Sequence, residues 1–174
     1  CAECQRASPQ FLVSESLSES SVEKKVTRYW RLFLGKGNAF AQECLDGGFI
    51  GVDFDIREDL AGSLHENWRE FNDEFIPKWL ELNPGKSKIA AGLACAMLWT
   101  VSKGYEDGDV ILSPSSTTLF RVGIVDGPYE YVKNGVLPHR RPVRWSEQTL
   151  RREDFSDALN RSVRSMGTSA EITK

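Results

Sequence analysis

The chain has 174 residues, 40% of them hydrophobic and 27% charged, with a formal net charge of −3. That is material for one sizeable core, and the acidic balance excludes a protein that coats polyanions over its whole surface. No run of 18 apolar residues occurs and residues 1–21 lack the cationic and apolar blocks of a signal peptide, so a soluble, cytoplasmic protein without membrane contact is expected.

Residues 1–25 are rich in Ser and Glu and read as a flexible lead-in. A start on Cys1 instead of methionine suggests a processed product or a piece of something longer, whose effector lies elsewhere. Cys1 and Cys4 form a CxxC with no second pair to complete a zinc site. Cys44 and Cys95 stand alone in helical patterns and read as buried thiols. No metal, disulfide framework or cofactor is expected. The folded unit is expected over 26–164, with 165–174 as a polar tail.

TRYWRLFL, from Thr27 to Leu34, reads as a largely buried strand broken by Gly35, Lys36, Gly37 and Asn38. Asn38 is placed to cap a short helix through Phe40, Cys44 and Leu45, which Gly47 and Gly48 stop. FIGVDFDI, from Phe49 to Ile56, reads as a second strand. Leu60, Leu64, Trp68, Phe71 and Phe75 recur at helical spacing until Pro77 interrupts or restarts the pattern, and Ser87 to Val101 forms an apolar helix. Short strands then follow at 110–115, 119–125, 129–132 and 140–145, an antiparallel meander, and an amphipathic helix over 152–164 presents Phe155, Leu159 and Val163. The fold class is therefore α+β, a mixed, curved β-sheet with packed helices.

WRLFLGKGNAF, FIGVDFD, the GDV of Gly108 to Val110, VGIVDGPYEY and HRRPVRW together resemble a PUA-like domain of the EVE and YTH type. The nearest likeness is to those beside nuclease domains in prokaryotic modification-dependent restriction proteins. The resemblance spans about Arg28 to Trp145. It implies a small mixed β-barrel that takes one nucleotide base, often a modified one, in an aromatic pocket, because a flipped base offers two π faces and a readable polar edge. The family's edge-reading loop after the first strand matches Lys36, Gly37 and Asn38. Its aromatic wall after the next strand matches Phe54, where relatives often carry Trp. Tyr129 and Tyr131, two apart in a strand and so on one face, are the expected opposite wall.

Charge is unevenly spread. Residues 133–152 hold Lys133, Arg140, Arg141, Arg144, Arg151 and Arg152 against Glu147 alone, whereas residues 43–83 hold eleven acids and three bases. One edge should be basic, with Arg140 and Arg141 on phosphate. The partner expected is nucleic acid, DNA ahead of RNA, with a fused or associated effector nuclease.

Enzymatic patterns are missing. The two histidines, His65 and His139, accompany no nucleophile elbow, P-loop or HExxH, and the GxG of Gly35 and Gly37 is too short to mark a phosphate loop. No catalytic residue is assigned, and the expectation is a protein that is not an enzyme. The alternatives are a protein-interaction domain using the Tyr129 and Arg140 edge and, third, a metal-dependent nuclease built on Asp53 and Asp55.

Overall fold

The structure, a computed structural model, describes residues 27–172. The lead-in, Cys1 and Cys4 therefore lie outside the described residues.

Period-two alternation divides the first strand between two faces. In β1 (Tyr29–Leu32), Trp30 and Leu32 enter the main core, while Arg31 and the following Phe33 lie on the other side with the guanidinium 4.6 Å from the ring centre. The chain then turns through Gly35, Gly37 and Asn38, whose φ angles of 81°, 62° and 66° lie where glycine and asparagine are tolerated best. Asn38 does not cap the next helix as expected. Its Oδ1 accepts from the Leu34 amide at 2.6 Å and its Nδ2 donates to the Pro114 carbonyl, tying the turn to the sheet. Helix α1 (Ala41–Gly47) starts after Phe40 without a side-chain cap and ends, as expected, at the left-handed Gly48.

Strand β2 (Phe49–Val52) is wholly buried but stops four residues short of the expected Ile56. There Asp55 takes φ 66° and donates its amide to Asp53 Oδ1 at 3.0 Å, an Asx turn that ends the strand. Leu60 and Leu64 belong to the loop that follows. Helix α2 (Trp68–Leu82) begins where Asn67 accepts the Arg69 amide, and it runs through Pro77 unbroken. Helix α3 (Lys88–Trp99), capped by Ser87, packs Ala91, Ala94, Cys95 and Leu98 into the core that holds the stacked Phe71 and Phe75. Burial pushes the Cys44 thiol up to about 12 and that of Cys95 to about 11, as expected of apolar thiols. A single π turn, Thr100–Gly104, ends the pair.

The remaining strands are β3 (Val110–Pro114), β4 (Leu119–Val125), β5 (Glu130–Tyr131) and β6 (His139–Arg151). After a 3-10 turn at Arg152–Asp154 come α4 (Asp157–Ser162), shorter than expected, and β7 (Ser169–Glu171). The sheet runs β2-β6-β4-β3-β1-β7 with β5 on β6, and all pairs are antiparallel except β1 with β3. It curls into a half-barrel whose inner face carries the main core and α2 and α3, so the fold is α+β. On the outer face α4 covers a smaller cluster of Leu112, Phe120, Val163 and Ile172, joined by Phe155 and Leu159.

The expected polar tail contains an element the sequence reading missed. Strand β7 pairs with β1, and the fully buried Arg31 holds the segment before it, donating to the carbonyls of Ser165 at 2.6 Å, Gly167 at 2.6 Å and Thr168 at 3.0 Å. Among the described residues no helix is long and apolar enough to cross a membrane.

Candidate functional site

The turn after β1 and the loop after β2 meet at a recess of about 280 Å³, with Gly35, Lys36, Val52, Asp53, Phe54 and Leu137 around it and Thr168 at its rim. Lys36 and Phe54 are thus brought together as expected. Lys36 is exposed, and its ammonium has no partner among the described residues. Phe54 is half-buried against the main core, so its ring is both supported and reachable. Leu137, missed in the sequence reading, has φ 45°, a conformation costing a branched side chain about 1–3 kcal/mol. Two contacts hold it. Arg140 Nε donates to its carbonyl at 3.1 Å, and Gly51 lets that carbonyl approach so closely that an added Cβ would lie 2.7 Å from it. Thr168 is fixed by Arg31 and by the Phe33 amide.

The other expected site residues fall elsewhere. Asn38 lines a different cavity, of about 470 Å³, on the outer face, with both polar atoms of its side chain engaged by backbone. Tyr129 and Tyr131 do not line the Phe54 recess; they pack on the buried His139 at ring separations of 6.0 and 5.3 Å. His139 Nε2 lies 2.5 Å from the Ile56 carbonyl and must donate, which leaves Nδ1 to accept from the Tyr129 hydroxyl at 2.9 Å. That hydroxyl in turn accepts the Leu60 amide at 3.2 Å. The chain of bonds fixes one neutral tautomer, and burial holds the imidazole below its ordinary pKa. This ring cluster anchors the loop after β2, a structural task in place of the expected stacking wall.

The two arginines expected on phosphate are also turned to internal use. Arg140 lies 3.8 Å from the Phe49 ring centre and donates to the carbonyls of Val136 and Leu137. Arg141 is 6% exposed and bonds the Gly127 carbonyl at 2.7 Å, the Tyr105 carbonyl at 2.8 Å and Asp107 at 3.0 Å. Desolvation lowers its pKa, the neighbouring Asp107 opposes that shift, and the side chain is a staple between β6 and the segment before β3. Tyr129 and Arg140, the two residues of the alternative protein-contact edge, are both half-buried and both engaged in bonds within the domain.

Asp53, one of the two carboxylates considered for metal, accepts the Asp55 amide and pairs with Arg57 at 3.0 Å. Among the described residues no group of three or more His, Cys, Asp or Glu side chains is placed to hold a metal ion.

No curated protein matches the chain, and no solved structure does. A family model for a domain of unknown function, DUF8426, matches residues 30–173, from β1 through β7, and the chain belongs to that family.

Proposed function

We propose that this domain is a nucleic-acid-binding module of the PUA-like, EVE and YTH type, which takes one base, modified or plain, in the recess between Phe54 and Lys36. The observation that carries the reading is the meeting of these two side chains over a floor residue, Leu137, held in a strained left-handed conformation. A supported aromatic ring supplies one stacking face, and the unpaired ammonium supplies charge for a phosphate or a base edge. In this reading the polymer is DNA ahead of RNA, the domain binds without catalysis in the cytoplasm, and any effector nuclease is a separate or fused partner.

Oligonucleotide binding tests it. Phe54→Ala should weaken affinity by about 1–3 kcal/mol while Phe54→Trp preserves it, because every base offers a π face to the ring. Lys36→Gln should lower the salt slope of binding by about one. A folded Phe54→Ala variant that binds as tightly as the parent removes the recess from consideration.

A further inference from the structure

We propose that the outer face carries a second site, for a nucleoside phosphate unit, with its base beside Phe33 and its phosphate among Arg152, Arg161 and Arg164. Two cavities meet there at Arg152. The first, of about 470 Å³, is bounded by Phe33, Phe120, Val163 and the β3–β4 turn with Ser116 and Thr117. The second, of about 460 Å³, is bounded by Arg152, Arg161 and Arg164 together with Glu153, Asp157 and Asn160. Both volumes fall in the usual range for small-ligand sites, roughly 300–1,000 Å³.

Their chemistries are complementary. The first cavity offers aromatic and apolar surface, and its Phe33 ring is backed by the Arg31 guanidinium. Arg152 is oriented by Nε donating to Asn160 Oδ1 at 3.3 Å and Nη1 donating to the Thr117 carbonyl at 3.2 Å, neither of which neutralises its charge. Arg161 and Arg164 are exposed, and their side chains have no hydrogen bond or ion pair among the described residues. Of the two acids at the second cavity, Glu153 is held by Arg151, so the Asp157 carboxylate alone stands against the three guanidinium groups and the hollow keeps a positive balance. Three unneutralised guanidinium groups around one hollow favour an anion, and guanidinium forks suit phosphate oxygens. The adjoining aromatic cavity makes the ligand a nucleoside phosphate instead of a bare anion.

That chemistry has two sources, a free mononucleotide or one unit of a strand. The full chain is titrated by calorimetry with adenosine 5′-monophosphate, adenosine, inorganic phosphate and a short single-stranded oligodeoxyadenylate. In the parent, the monophosphate or the strand should bind and adenosine should bind far more weakly. Arg161→Gln combined with Arg164→Gln should weaken binding about tenfold or more and, on the strand, lower the salt slope by about 1.4. Phe33→Leu should erase the preference for the monophosphate over inorganic phosphate. Loss confined to the monophosphate identifies a free nucleotide, and loss confined to the strand identifies a polymer. Phe54→Ala should leave the arginine-dependent binding intact, which separates this site from the recess. Unchanged affinity of the double arginine variant for both probes, or no binding of either by the parent, overturns the proposal.

Discussion

The arginines of β6 and those around α4 look alike in sequence and behave differently in the fold. Arg140 and Arg141 bond backbone carbonyls, and Arg144 pairs with Asp126 at 2.7 Å. Arg161 and Arg164, on and after a six-residue surface helix, have no such partners among the described residues. A strand in the middle of a sheet sends alternate side chains into the protein, where a guanidinium must find acceptors. A short helix lying on the sheet can leave its outer side chains to solvent. Local density of positive charge in a sequence is therefore a poor guide to positive surface.

The largest effect expected from this contrast is that of Arg141→Ala, which strips the Tyr105 and Gly127 carbonyls of their donor. It should lower the unfolding free energy by about 3 kcal/mol, read as a shifted urea midpoint, and an unmoved midpoint would put Arg141 in the same class as the surface arginines. Gly51→Ala comes next. Its Cβ would lie 2.7 Å from the Leu137 carbonyl and 2.9 Å from that of His139, so a loss of about 2 kcal/mol is expected, together with weaker oligonucleotide binding as the recess floor shifts.

Tyr129→Phe removes the hydroxyl between the Leu60 amide and His139, and should cost about 1 kcal/mol. The same cluster predicts a pH dependence. Because the folded pKa of His139 lies below its ordinary 6.5, the unfolded chain binds the proton more readily. The stability it contributes is complete above 6.5 and falls away as pH drops toward the lowered folded value. Urea midpoints across that range should fall more steeply for the parent than for His139→Gln; parallel profiles would mean that His139 is not held neutral. The smallest effect belongs to Arg161→Gln with Arg164→Gln, whose stability should stay within about 0.5 kcal/mol of the parent, and a larger loss would show hidden structural partners.

Much of the sheet was legible. Strand β4 occupies the expected Leu119–Val125, and α3 is capped by Ser87, the residue where the helix was expected to begin, because β-branched runs between turn residues and a serine cap are local signals. The Leu60 and Leu64 spacing misled because these residues anchor a loop to the core, and burial alone imitates helical period. Strand β7 was missed because its SAE sequence has no apolar alternation; what positions it is an arginine far away in the chain. Of the recess, Lys36 and Phe54 were found through local motifs, whereas Leu137 depends on a backbone angle that composition does not report. Arg141 could have been read better. It shares strand parity with His139 and Val143, and the apolar Val143 marks that parity as inward. The same rule applied to TRYWRLFL sets Phe33 apart from Trp30 and Leu32, which was the available hint of an outer-face ring.

Strand β1 sits between β3 and β7, and the two terminal nitrogens of the Arg31 guanidinium beneath it donate to the carbonyls of Ser165, Gly167 and Thr168. During synthesis, then, the first strand of the sheet remains an open edge with a charged group awaiting its acceptors until nearly the whole domain has left the ribosome. Closure is a late, long-range event, of the kind that slows folding and leaves a nascent chain exposed to mispairing. Stalling synthesis before Ser165 should give a nascent domain that proteases still cut between β1 and β3, and release of the next few residues should protect it.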